Sequence, residues 1–315
     1  MSDHWDGKRF FNPHADTDKR LSDLLRYLWF SRWDPWPEAG PASDGPFPAP
    51  PPAGGPSLTF LGHVTFLMRL GGCTLLTDPV FSRRAGPGGV MGPRRVRPPA
   101  MAPDSLPPVD AVLISHNHYD HLDVASLRAL ARRGARRAIT GLGNERLLAR
   151  AGLRDVVALD WWESAELPGG VRVTFVPAQH WSARGPFDRR RSLWGGFVVE
   201  AADGRVHFTG DSGYCPHFRE IGARFPGLDV TLLPIGAYEP RWFMAAQHMN
   251  PEEAVRAFRD LGAARAVAMH FGTFRLTTEG FDAPAAALRS ALDRHGVDPA
   301  AFRLPSHGET IAVRG

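Results

Sequence analysis

From Ser57 onward the chain runs in short apolar stretches set apart by glycine, proline and charge. SLTFLG, VTFLMRL and CTLLTDPVF follow one another closely and predict three successive strands, the meander that opens an antiparallel or mixed sheet. DAVLIS predicts a fourth strand, and LDVASLRALARRG after it predicts a helix with a basic last turn and a glycine stop. VRVTFVP, FVVEA, RVHFTG, VTLLPIG and ARAVAMH predict further strands. NPEEAVRAFRDLG carries its own helix-start signals: Asn250 as N-cap, Pro251 at the first helical position and Glu253 three residues after the cap. Strand clusters alternating with helices predict an α/β (α+β) chain of helix-covered sheets, arranged as two successive sheet-plus-helix halves.

Before Ser57 the pattern changes. Between Pro35 and Pro56 nine of twenty-two residues are proline, which excludes helix and central strand and predicts an extended arm. Residues 1–56 are therefore read as a helical segment and arm packed on the core, and residues 57–315 as the main domain. In LSDLLRYLWFSRWDPW, Leu21, Leu24, Leu25, Leu28 and Trp29 recur at helical spacing, with Phe30, Trp33 and Trp36 adding aromatic bulk. The expected arrangement is a helix docked on the body of the domain. A helix lying in a membrane interface shares this pattern, and the two arrangements are compatible.

Composition narrows the classes. A chain of 315 residues that is 43% hydrophobic can bury a large core. The formal net charge of +4 rests almost wholly on arginine, Lys8 and Lys19 being the only lysines. That usage fits a GC-rich coding bias as well as a phosphate-binding surface, so no nucleic-acid partner is expected from charge. Cys73 and Cys215 are too few for a disulfide framework or a thiolate cage and fit a reducing cytosol. The polar start and the lack of a long apolar run predict neither signal peptide nor transmembrane helix, hence a cytoplasmic chain, soluble or peripheral at a membrane.

The strand ends carry the chemistry. SHNHYDHLD, directly after the apolar run AVLI, crowds His116, His118, Asp120 and His121 together. His180, Asp211 and His270 each follow another predicted strand. Strands ending on the same side would gather these groups around one cleft. Three imidazoles and a carboxylate packed together without a cation would strand polar groups in a confined site. Imidazole with carboxylate and no thiolate suits Zn²⁺, ahead of Mn²⁺ or Fe. Seven donors exceed one tetrahedral ion; two ions roughly 3.5 to 4 Å apart account for all of them. Of the remaining histidines, His4, His14, His207, His217 and His295 are read as surface or satisfied core residues, and His63 and His307 as packing and hydrogen-bonding residues.

HNHYDHLD is the HxHxDH signature of the metallo-β-lactamase superfamily, and within it the chain resembles the N-acylphosphatidylethanolamine-hydrolysing phospholipase D family. LGHVTFL, LLTDPVFSRRA, MGPRR, LDWWE, LWGGF, GDSGYCP, HFGTF and HGET share in the likeness. IGAYEPRWFM followed by QHMNPEEAV is its most specific part, and the resemblance runs from KRFFNP to the last strand.

The resemblance implies an αββα sandwich of two mixed sheets flanked by helices, with two Zn²⁺ per chain. His116, His118 and His180 would hold one ion, Asp120, His121 and His270 the other, and Asp211 would bridge them. Asp120 thus counts as catalytic together with His248, which would face the substrate phosphate or the leaving group. Asp78 is expected to orient a ligand histidine, and Tyr119 to line the cavity. Tyr238, Arg241, Trp242, Phe243 and Met244 form a segment expected to be exposed, suited to acyl chains and an anionic head group. The implied reaction is attack by a metal-bridging hydroxide on a phospholipid phosphodiester at a membrane surface, at the inner face of the membrane, giving phosphatidic acid and an N-acylethanolamine. A homodimer is compatible with this reading. The rivals are a nucleic-acid phosphodiesterase, a lactone or lactam hydrolase, and a non-enzymatic membrane-binding module.

Overall fold

The computed structural model describes residues 2–39 and 55–314, so most of the stretch read as a proline-rich arm lies outside the described residues. The predicted meander is β1 (Ser57–Gly62), β2 (Thr65–Leu70) and β3 (Cys73–Thr77), antiparallel throughout. β4 (Ala111–Ile114), β5 (Arg137–Gly141) and β6 (Asp155–Leu159) extend it in parallel. β7 (Ser164–Leu167), β8 (Val171–Val176), β9 (Gly196–Ala201) and β10 (Gly204–Phe208) repeat the antiparallel opening in a second sheet. β11 (Val230–Pro234), β12 (Arg265–Met269) and β13 (Phe302–Arg303) add its parallel half, and β14 (Thr310–Ala312) returns to pair with β1. Two seven-stranded mixed sheets result, one per half of the chain.

The helices of the described residues are α1 (Leu21–Phe30), α2 (Val124–Arg132), α3 (Glu145–Arg150), α4 (His217–Arg224), α5 (Arg241–Met244), α6 (Pro251–Leu261) and α7 (Ala283–His295). Period-two alternation sorts each strand between layers. Leu58, Phe60, Phe66 and Met68 enter the core between the sheets, joined from the other side by Phe197, Val199, Leu232 and Val267. Leu61 and Leu67 face the opposite way, packing with Leu127 and Leu130 of α2. Val198, Leu233 and Ala268 pack with Phe218 of α4, Phe258 of α6 and Leu288 of α7. Helices outside and sheets inside make four layers, so both faces of each sheet are covered. That is why the strands read as continuous apolar runs. Fully burying a side chain such as Phe60 or Phe197 is worth about 1.5–3 kcal/mol.

The start of α6 forms as its sequence dictates. Asn250 Oδ1 accepts from the Glu253 N–H at 2.9 Å, and Glu253 Oε2 accepts from the Asn250 N–H at 3.0 Å.

One expectation fails. The apolar stripe of α1 does not dock: Leu21, Leu24, Leu25, Leu28 and Trp29 are between 42% and 79% exposed. Tyr27 is the buried residue of the helix, its ring stacked on Phe243 at 4.6 Å. The rest of the segment is anchored by Phe10 in the core between the sheets and by Trp36, whose indole N–H donates to the Glu279 carbonyl at 2.8 Å.

Candidate metal centre

β4, β8, β10 and β12 deliver their following residues to one place. Ser115–Asp123 leaves β4, His180 and Asp211 stand in the loops after β8 and β10, and His270 follows β12 directly. His116 Nε2 and His180 Nε2 both approach His118 Nδ1, at 2.9 and 3.1 Å. Beside this trio, Asp120 Oδ2 lies 3.3 Å from His270 Nε2 and 3.6 Å from His121 Nε2. Asp211 Oδ2 stands between the two groups, 3.1 Å from His121 Nε2, 3.2 Å from His270 Nε2 and 3.8 Å from His180 Nε2. All seven residues singled out at the strand ends are therefore brought together.

The backs of these rings are held. His121 Nδ1 lies 2.7 Å from Asp78 Oδ2, while Asp78 Oδ1 accepts from the Ser115 N–H at 2.7 Å. His180 Nδ1 donates to the Gln247 carbonyl at 2.9 Å, and Asn12 grips the His180 backbone from both sides, at 2.8 and 3.2 Å. Partners on Nδ1 fix the tautomer, so Nε2 of both rings faces the centre with its lone pair. The backbone is strained at the same place. His63, Asp78, Ala237 and His270 all have positive φ, at 58°, 31°, 60° and 60°, conformations that side chains other than glycine adopt only where surrounding structure enforces them. Gly236 has no alternative at its position, since a Cβ there would meet the His270 carbonyl oxygen at 2.1 Å.

The donor set fits cations. At most one proton can sit between any two of the converging imidazole nitrogens, yet His270 Nε2 and Asp211 Oδ1 are buried without a hydrogen-bond partner. Electrostatics point the same way. Burial opposes charge on His270, but Asp211 and Asp120 outweigh it and raise the ring to about 9. Burial likewise opposes charge on His121, and the same two carboxylates raise it as well. His180, by contrast, is driven down to about 4, chiefly by burial. A pocket whose carboxylates favour positive charge on two fully buried rings suits divalent cations.

His63, expected to pack and to hydrogen-bond, does so at the centre itself, a place the sequence does not reveal: its Nε2 lies 3.1 Å from Asp120 Oδ2, and its carbonyl accepts from the His270 N–H at 2.8 Å. The available signal was a histidine in the tight GH turn between two predicted strands. His248 joins the centre too: it is buried, with Nδ1 3.9 Å from Asp211 Oδ2 and without a hydrogen-bond partner.

The segment expected to be exposed divides. Tyr238 and Met244 are buried, because the strand end and the short α5 fold back onto the domain, and Trp242 remains 43% exposed. Arg241 is committed to Glu253 Oε2 at 2.6 Å and to the carbonyls of Tyr238 and His248, so its guanidinium organises this loop instead of offering itself to a head group. Phe243 is covered by Tyr27. Tyr119 donates to the Arg184 carbonyl at 2.8 Å and lies under the Arg184 guanidinium, which ties down the loop after His180.

Comparison with known proteins agrees with this architecture. A family model for the β-lactamase superfamily domain matches residues 74–271. The chain is 36% identical to N-acyl-phosphatidylethanolamine-hydrolyzing phospholipase D 1 of Caenorhabditis elegans, across 80% of this chain and 74% of that one. It is 31% identical to a metal-dependent hydrolase of Rubrobacter xylanophilus, across 78% of this chain and 95% of that one. In fold it resembles a possible metal-dependent hydrolase from Veillonella parvula, with a TM-score of 0.67 at 20% identity, covering 82% of this chain and all of that one. The chain is a metal-dependent hydrolase of the metallo-β-lactamase fold and belongs to the N-acylphosphatidylethanolamine-hydrolysing phospholipase D family.

Proposed function

We propose that the protein is a zinc-dependent phosphodiesterase of phospholipase D type, cleaving N-acylphosphatidylethanolamine-like lipids to phosphatidic acid and an N-acylethanolamine at the cytoplasmic face of a membrane. The observation that carries this reading is the joining of the histidine-aspartate centre to an apolar outer surface: α5 begins seven residues before His248, and α1 rests on it through Tyr27. His116, His118 and His180 would hold one zinc, Asp120, His121 and His270 a second, with Asp211 between them. Bound there, the pair supplies Lewis acidity, which polarises a phosphoryl group and makes water nucleophilic near neutral pH.

The chain's own residues do the positioning. Asp78 and the Gln247 carbonyl hold His121 and His180 in the tautomer that directs Nε2 inward. His248 presents a buried Nδ1 free to meet a substrate oxygen on the leaving-group side. His248→Ala is expected to lose about 10²-fold or more in turnover, the range of a positioned proton-transfer group, while its metal content stays at the wild-type level. Zinc depletion in that variant would assign His248 to metal binding instead.

A lipid substrate requires access from a bilayer. No helix among the described residues is long and apolar enough to cross one. α1 instead offers Leu21, Leu28, Trp29 and Phe30 to the outside, with Trp242 alongside and the Arg26 guanidinium 4.5 Å over its ring. Such a surface suits shallow interfacial binding with cations at the head groups. Trp29→Asp and Trp242→Asp are each expected to weaken partition onto anionic phospholipid vesicles by about tenfold or more. Activity on detergent-dispersed substrate should persist. Unchanged vesicle binding in both variants would rule out this face.

The function itself is tested with zinc-loaded protein given mixed phospholipids, an RNA and a lactone, with products identified by mass. Release of N-acylethanolamine, with label from ¹⁸O-water appearing in phosphatidic acid, is expected. Cleavage of the RNA or the lactone alone would overturn the proposal.

A further inference from the structure

We propose that His14, His217 and Glu220 form a separate, peripheral site for one divalent transition-metal cation, which staples the N-terminal segment before α1 to the start of α4. One ring nitrogen of each histidine and a carboxylate oxygen of Glu220 lie within 4.8 Å of one another. None of these residues belongs to the main centre.

The arrangement is built from both ends. His217 and Glu220 stand one turn apart at the start of α4 and so share a face, with Glu220 Oε2 3.0 Å from His217 Nδ1. His14 comes from the segment before α1, and its ring meets that of His217 edge to face, centroids 4.8 Å apart. His217 is buried, and its Nε2 has no hydrogen-bond partner. Burial also holds His217 below its ordinary value, against the pull of Glu220. The positive end of α4 opposes a cation here, and the Glu220 carboxylate in the first turn compensates.

Two imidazoles and one carboxylate make a three-ligand zinc set with a fourth position left to water. Zinc bonds of about 2.0–2.2 Å place tetrahedral donors roughly 3.3 Å apart, so the site closes by a contraction of at most about 1.5 Å. His14 is exposed and can supply that movement. Closure has a consequence for the main centre. His14 lies two residues beyond Asn12, which grips the His180 backbone, and His217 lies six residues beyond Asp211. A cation between them would pin both segments.

The test uses the full chain dialysed to equilibrium against micromolar zinc, with bound metal counted per protein. His14→Ala and Glu220→Gln are each expected to lose one ion relative to wild type, whereas Asp211→Asn, which strikes the main centre, should keep this one. Zinc should also slow tryptic cleavage of the segment before α1 at Lys19 and Arg20 in wild type and not in His14→Ala. A wild-type ion count in both His14→Ala and Glu220→Gln, or equal zinc protection of that segment with and without His14, would overturn the proposal. Neither readout depends on which substrate the main centre turns over.

Discussion

Asp211→Asn is expected to cut kcat/KM by about 10³-fold or more and to lower the metal content of the main centre. The side chain keeps its size, so the change isolates the charge. One oxygen of Asp211 reaches His121 and His270 at 3.1 and 3.2 Å and His180 at 3.8 Å, so it serves both groups of donors at once. Losing a partner outside the donor set of a metal site costs about 10–100-fold. Asp211 stands inside the set, and losing its charge weakens both positions. Asp211 and Asp120 are the carboxylates that face the converging ring nitrogens, and removing the charge of one weakens the retention of cations. Parallel measurements of turnover and bound metal check the result. Near-wild-type turnover with full metal would make Asp211 a packing residue.

Asp78→Ala should be the most damaging change for stability, by about 3–5 kcal/mol, the cost of breaking a buried pair by removing one partner. Asp78 is fully buried and takes hydrogen bonds from the Ser115 N–H, the Ser115 hydroxyl and His121. Removing it leaves those donors with neither partner nor water, at about 1–3 kcal/mol for each buried group left unpaired. Against a total stability of about 5–15 kcal/mol for an ordinary domain, that is a large fraction. Asp78→Asn distinguishes support from bulk. It retains one acceptor but turns an amide toward one of the donors, so it should fold, lose roughly 10–100-fold in metal affinity and release His121 from its tautomer. Urea unfolding of both variants measures the first effect and zinc competition the second. A loss below about 1 kcal/mol in Asp78→Ala would show that the hydrogen bonds of Asp78 are dispensable.

Much of this was legible in the residues. Runs such as SLTFLG and AVLI read as strands because sheets covered on both faces keep no polar face, and the strand-end histidines and aspartates converge because β4, β8, β10 and β12 end at one rim. β5, β6 and β7 were not foreseen. β7 carries half-exposed polar positions, β6 is a five-residue run whose valines and alanine are only half-buried, and β5 is a short run close after a basic helix end. The leucines of α1 and the Tyr238–Met244 segment were read the wrong way round, the first expected inside and found outside, the second largely the reverse. Periodicity finds the face of a helix but not what covers it. The place of His63 beside the centre was not legible, because a lone histidine carries no spacing and that place depends on a turn that brings one sheet's loop to the other's.

Anomalous diffraction at the zinc absorption edge, from crystals of the zinc-loaded protein, tests the central claim most directly. Two peaks roughly 3.5 to 4 Å apart are predicted within the main centre, one against His116, His118 and His180, the other against Asp120, His121 and His270, with Asp211 reaching both. A map with no peak among these side chains would contradict it.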